Sequence, residues 1–236
     1  MKIKALLFDF DGLILDTETP EFRVWQAIYR EYGQEFPAER WGQIVGGGGE
    51  PHFDAAGYLA ELAGDGLNAN ALRARHKSES EALVLQQPVL PGVVDYLDDA
   101  RRMGLRLAVA SSSPHSWVDS HLARLRLADR FPAASGRGFD AIICGDDVPP
   151  GRTKPHPDVF LKALGAVSVK ANEAIVFEDS PNGVKAARRA GIYVVSVPNP
   201  MTALLKTDGA NLTLNSLANM PLKELLIAVN DSNEVQ

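Results

Sequence analysis

Asp9 and Asp11 stand two residues apart where the apolar run Ala5-Leu6-Leu7-Phe8 ends, and Gly12 follows them. Strand side chains at i and i+2 point the same way, so both carboxylates should face one point beyond the strand. Two anions there repel each other and lose hydration. A divalent cation offsets both costs, and hard oxygen ligands select magnesium. Further along, Ser111-Ser112-Ser113 closes another apolar run and Lys154 precedes Pro155. Glu178-Asp179 close a third run, ahead of Ser180-Pro181-Asn182-Gly183. Phosphoryl transfer needs a cation, groups that bind the equatorial oxygens and an in-line nucleophile. A carboxylate can be that nucleophile, through an acyl-phosphate. The Ser111 hydroxyl and the Ser112 amide offer donors, Lys154 a positive charge, and Asp179 a further metal ligand. Taken singly these features are commonplace: an Asp-Gly turn, a serine turn, a solvated lysine, a capped helix. Their joint placement at strand ends and helix starts is what points to chemistry.

The elements that must position these groups can be read from periodicity. From Asp16 to about Gln87 the pattern is helical. Thr19-Pro20 suits a helix start, with Thr at the cap and Pro in the first turn. Phe22, Trp25, Tyr29 and Tyr32 recur at helical spacing and read as packing, and Gly33 ends the run. The run Gly46-Gly47-Gly48-Gly49 interrupts the next helix, and two more helices are expected over 53–63 and 69–85. Gln86-Gln87-Pro88 reads as a return linker. From Leu90 onward helices alternate with strands, the strands lying at 105–110, 141–144, 174–177, 193–197 and 212–214. Such alternation predicts an α/β fold with a parallel sheet covered on both faces. Ligands bind such sheets at the carboxyl ends of the strands. The tail, Asn230–Gln236, reads as frayed.

Composition narrows the function. The 236 residues carry a net charge of −6 with no basic block, against a nucleic-acid partner. Cys144 is the only cysteine, so no internal disulfide forms and a reducing compartment fits. No apolar run approaches the roughly 18–20 residues of a membrane span. The chain opens directly into a strand with no leader pattern. A cytoplasmic protein is expected, monomeric because no long heptad is evident.

With its motifs in this order, the chain resembles the haloacid dehalogenase superfamily, in the branch holding β-phosphoglucomutase and related small-molecule phosphatases. The motifs are Asp9-Phe10-Asp11-Gly12, Ser111, Lys154-Pro155 and Glu178-Asp179-Ser180-Pro181-Asn182-Gly183. The resemblance implies a Rossmann-like parallel-sheet core, residues 1–15 and 89–236, with an inserted α-helical bundle cap domain, 16–88. It implies Asp9 as nucleophile, Asp11 as general acid/base, and Ser111 and Lys154 on the phosphate. Magnesium would lie on Asp9, the Asp11 carbonyl and Asp179, with Glu178 as a ligand or behind one.

The implied activity is hydrolysis of a small phosphorylated metabolite through an aspartyl-phosphate. In β-phosphoglucomutase the position matching Glu21 is a histidine, and the cap loop carries an arginine. Here that loop is Gly46-Gly47-Gly48-Gly49-Glu50-Pro51-His52. Both departures remove groups that would orient a phosphorylated sugar, so a phosphatase is expected ahead of a mutase. Glu21, His52 and His115 are the remaining candidates for substrate contact, the two histidines also reading as ordinary loop residues. A receiver-like phospho-binding module is the non-enzymatic alternative. It would lack the helical insertion, and its phospho-accepting aspartate would not end the first strand.

Overall fold

The computed structural model describes residues 2–44, 53–64, 66–127, 138–205 and 208–234. Strand β1 (Ala5–Phe8) is buried at every position, as a run that is apolar on both faces requires. It lies between β2 (Arg106–Ala110) and β4 (Ala174–Glu178). Beyond them come β3 (Ala141–Ile143) on one side, then β5 (Tyr193–Ser196) and β6 (Leu212–Thr213) on the other. Among the described residues the sheet is six-stranded, in the order β3-β2-β1-β4-β5-β6. Every neighbouring pair is parallel. The α/β, Rossmann-like expectation is met.

Register explains why the functional residues converge. Phe8 stands opposite both Val109 and Phe177. The next residues on each strand, Asp9, Ala110 and Glu178, therefore emerge side by side at one edge of the sheet. Strand order also reverses at β1, the place where a parallel sheet leaves a crevice between diverging loops.

Alternation along β1 divides the core in two. Leu6 and Phe8 pack with Tyr96, Leu107, Leu222 and Leu225. Those partners bring in α4 (Val93–Arg102) and α8 (Leu222–Glu234), and α5 (His115–Arg124) joins through Val118 and Leu122. On the other face Ala5 and Leu7 pack with Val159, Phe160 and Val184, carried by α6 (Asp158–Ala166) and α7 (Pro181–Arg189).

A third core belongs to α1 (Glu18–Glu31), α2 (Ala55–Ala63) and α3 (Ala69–Val84). It is built around Phe22, Trp25, Tyr29, Phe36, Trp41 and Leu72. Phe22 meets Trp41 edge-on at 5.1 Å, and the Tyr29 hydroxyl donates to the Ala55 carbonyl at 2.7 Å. The two chain crossings between this unit and the sheet lie together. Leu15 pairs with Val89, and the Leu90 amide donates to Ile14 at 2.9 Å. No helix among the described residues is long and apolar enough to cross a membrane.

Three local readings need correction. Helix α1 starts earlier than Thr19, with Thr17 at its cap position but making no side-chain cap bond. Asp16 takes that role, accepting from the Thr19 amide at 3.0 Å, since a carboxylate satisfies an orphan amide as well as a hydroxyl does. Tyr32 lies past the helix end and is 39% exposed, whereas Phe22, Trp25 and Tyr29 are buried. The C-terminal segment is helical through Glu234 rather than frayed from Asn230. Leu222, Leu225 and Val229 follow helical spacing and are fully buried, so docking holds a segment whose final residues are polar.

If that docking holds the tail, Leu225→Ala should cost about 2–5 kcal/mol, as buried leucine truncations do. Urea unfolding measures it. A loss below about 0.5 kcal/mol, the range of ordinary surface changes, would mean α8 is not part of the core.

Candidate active site

Beyond the carboxyl ends of β1, β2 and β4 lies a cavity of about 290 Å³. Asp9, Asp11, Glu21, Ser111, Ser112, Lys154 and Asp179 line it, joined by Thr17, Glu18, Ser113 and Trp117. Asp9 follows β1 directly and extends its ladder, its amide donating to Phe177 at 3.0 Å. Lys154 is buried beside it, donating to Asp9 Oδ1 and lying 2.6 Å from Glu178 Oε1. Glu178 ends β4, is fully buried and does not line the cavity.

Charge here is unbalanced. Asp9, Glu178 and Asp179 are all buried, and one oxygen from each lies within 4.8 Å of the others. Burial, then Glu178, pushes Asp9 up to about 7 despite Lys154. Asp179 is held well above the usual carboxylate range by burial and by the charges of Glu18, Asp9 and Glu178. Burial alone would lower Lys154, but Asp9 and Glu178 carry it above the ordinary lysine range. One ammonium cannot neutralise three carboxylates in a low-dielectric site. Asp179 Oδ1 is buried without a hydrogen-bond partner, as an oxygen left for a cation would be. An all-oxygen set of this kind fits a hard divalent ion.

The carboxylates also explain two glycines. Gly12 has φ +79, and a Cβ there would fall 2.1 Å from Asp179 Oδ2. At Gly183 a Cβ would fall 1.8 Å from Glu178 Cδ. Helix α7 begins over that carboxylate, with Ser180 Oγ accepting from the Gly183 amide at 3.1 Å and Pro181 in the first turn. The run Glu178–Gly183 thus stacks an acid, a cap and a gap in one turn.

Asp11 is oriented from α5. Trp117 Nε1 donates to its Oδ1 at 2.8 Å, while Ser113 Oγ and Ser111 Oγ reach its Oδ2 at 2.7 and 3.4 Å. Ser112 Oγ is buried with no hydrogen-bond partner, leaving a donor at the cavity wall. Opposite, Asn199 Nδ2 reaches Asp179 Oδ2 and Glu18 Oε2 at 2.9 Å each, and the Gly12 carbonyl at 3.3 Å. Burial raises Glu18 well above its usual range, with the Asn199 bond opposing.

Not every expected residue joins the cavity. His115 has its ring between Asp147, 2.8 Å from Nε2, and Asp119, 3.2 Å from Nδ1, and it is absent from the cavity lining. Burial lowers its pKa and these carboxylates more than restore it. His52 and the Gly46–Gly49 run fall outside the described residues. Conversely, Glu18, Ser113, Trp117 and Asn199 were not singled out from the sequence. Trp117 lies in the first turn of α5, just after the serine run, but carries no motif signal of its own. Asn199, in the loop after β5, had no local signal.

Comparison with known proteins shows the family and the fold. The family model described as haloacid dehalogenase-like hydrolase matches residues 3–191. A Bacillus subtilis (strain 168) relative named "Putative phosphatase YhcW" is 39% identical over 232 residues, covering 98% of this chain and 100% of its own. The Escherichia coli (strain K12) fructose-1-phosphate phosphatase YqaB is 32% identical over 196 residues, 82% of this chain and 95% of its own. The crystal structure of CbbY from Rhodobacter sphaeroides with phosphate superposes with a TM-score of 0.64 at 28% identity, covering 92% of this chain and 95% of that one.

A divalent cation added to chelator-treated protein should stabilise it by about 2.7 kcal/mol at a hundredfold excess over its dissociation constant, seen as a raised thermal midpoint. Asp179→Asn should lose most of that gain. An unmoved wild-type midpoint at millimolar cation would remove the cation site.

Proposed function

The chain belongs to the haloacid dehalogenase-like hydrolases, and on that premise we propose a magnesium-dependent phosphatase of small phosphomonoesters, sugar phosphates or similar metabolites. The observation that carries the reading is the convergence of Asp9, Asp11, Ser111, Ser112 and Lys154 on one cavity. The named activity of the Escherichia coli relative, on fructose 1-phosphate, supports the substrate class.

Asp9, the Asp11 carbonyl and Asp179 would hold magnesium, with Glu178 behind them. When bound, the ion supplies positive charge for the phosphoryl oxygens. Ser111, Ser112 and Lys154 bind those oxygens and orient the phosphorus towards Asp9. A carboxyl oxygen of Asp9 attacks, forming an aspartyl-phosphate as the bond to the leaving oxygen breaks. Asp11 gives that oxygen its proton. Indole N–H is only a donor, so Asp11 Oδ1 must accept from Trp117. The exchangeable proton therefore belongs on Oδ2, where the Ser111 and Ser113 hydroxyls can reverse their roles. In the second step Oδ2 takes a proton from water, whose oxygen attacks phosphorus and releases Asp9. The helical unit of 16–88, acting as a cap, would govern when water enters.

Purified protein should hydrolyse p-nitrophenyl phosphate and lose that activity with EDTA. Asp9→Asn should lose more than about a hundredfold; a variant above that level would exclude Asp9 as nucleophile. Asp11→Asn should lose about 10²–10⁴ on alkyl phosphates and less on aryl phosphates, whose leaving groups need little protonation. Equal losses on the two would remove the acid role.

A further inference from the structure

The cavity at the strand ends continues into a second one of about 400 Å³ between α1, α3 and α5. The two share Glu21, Ser113 and Trp117. If the phosphatase reading holds, a leaving group that extends past Trp117 would enter this second space. Its charged lining consists of Glu21, Glu81 and Lys77 among the described residues. Lys77 stands at the rim, its side chain 76% exposed and 3.9 Å from Glu81 on its own helix.

Glu21 is different. It is half-buried, and its carboxyl has no hydrogen bond or ion pair among the described residues, while burial, Asp11 and Glu81 push it up to about 7. His76 on α3 offers no countercharge. Its Nε2 donates to the Glu21 backbone carbonyl at 2.9 Å, its ring stacks on Trp25 at 4.1 Å, and burial lowers its pKa. The distal space therefore carries two carboxylates against one solvated ammonium. A second phosphate placed there would meet like charge with no arginine among the described lining residues to receive it. Donor groups would meet the Glu21 carboxyl, which has no partner among the described residues, and that of Glu81, paired there only with the exposed Lys77 at 3.9 Å.

We propose that Glu21 and Glu81 select phosphomonoesters whose leaving group presents amine or hydroxyl donors, and reject those carrying a second phosphate. This rests on the phosphatase reading above and adds to it a substrate class and a determinant, Glu81, outside the phosphoryl machinery.

The test is a series of alkyl monophosphates of two to six carbons, ended by amine, hydroxyl, methyl or a second phosphate. Wild-type kcat/KM should be higher for the amine and hydroxyl ends than for methyl and lowest for the second phosphate, with about tenfold or more between the better donor end and the phosphate end, equivalent to about 1.4 kcal/mol. Both ratios are taken against the methyl-ended compound of equal length, so a general loss of activity cancels. Glu21→Gln with Glu81→Gln should bring the ratios towards one. Glu81→Lys alone should turn preference towards the second phosphate. Circular dichroism establishes that each variant is folded. Preference for amine over hydroxyl identifies a cationic head as the better ligand, and the reverse a polyol; both support the inference. A wild type that hydrolyses the bisphosphate as well as the methyl compound overturns it, as do ratios unchanged in both variants. No turnover of the series, with p-nitrophenyl phosphate still hydrolysed, overturns this inference alone. If p-nitrophenyl phosphate is not hydrolysed either, the phosphatase reading falls with it.

Discussion

Three buried carboxylates, those of Asp9, Glu178 and Asp179, share the single buried ammonium of Lys154. Burying each charge costs several kcal/mol even after relaxation, and removing one partner of such a pair typically costs about 3–5 kcal/mol. Lys154 divides itself between Asp9 and Glu178, and Asp179 is left with Asn199. The raised positions of Asp9 and Asp179 express the same deficit. A folded chain tolerates this only where the surroundings hold the groups in place, and here a parallel sheet and two helix starts do so. The deficit is also what makes the place chemically useful, since it favours a cation and then, through that cation and Lys154, an anionic phosphate.

Much of the nearby backbone follows from where those oxygens lie. Asp179 occupies the space that a side chain at position 12 would need, and Glu178 the space above position 183. A glycine in each motif is thus a consequence of carboxylate crowding, and the turn after β1 has its tight form because an acid from β4 presses on it. Asn199 completes the arrangement. Its one amide group reaches Gly12 on the first loop, Asp179 on the fourth strand's loop and Glu18 at the start of α1. A movement of α1 relative to the sheet would therefore be felt at Asp179 through two hydrogen bonds, a direct physical route between the helical unit and the phosphoryl end.

The two ends of the joined cavity differ in how they treat charge. At the strand ends negative charge is concentrated but accompanied by Lys154, the unpartnered Ser112 hydroxyl and room for a cation. Towards α3, Glu21 and Glu81 have only the exposed Lys77, 3.9 Å from Glu81, among the described residues lining that space. A phosphate entering from solvent is accordingly favoured at one end and disfavoured at the other, which orients an asymmetric substrate before any specific contact forms.

The fold and the phosphoryl end were legible in the amino-acid order because both depend on local signals. Apolar runs ending in Asp9, Ser111 and Glu178 mark strand ends, and alternation with helices implies a parallel sheet that gathers those ends on one edge. Ser180, Pro181 and Gly183 carry their own helix-start signal. The tail was misread because helix propensity near Asn230 is weak, and only the packing of Leu222, Leu225 and Val229 holds it helical. Residue types could not decide which groups meet across long chain separations. His115 looked like a neighbour of the serine run, yet its ring is held by Asp119 one turn along its own helix and by Asp147 from the loop after β3. Trp117 and Asn199 bond to acids 106 and 20 residues away. Position within elements is written in nearest-neighbour chemistry, and the sequence by itself determined the strand ends, their acids and their lysine. Which donor reaches which acid, and that Glu21 and Glu81 face one space with only the exposed Lys77 as cation among the described residues lining it, depends on how α1, α3 and α5 pack, and only the tertiary structure decided it.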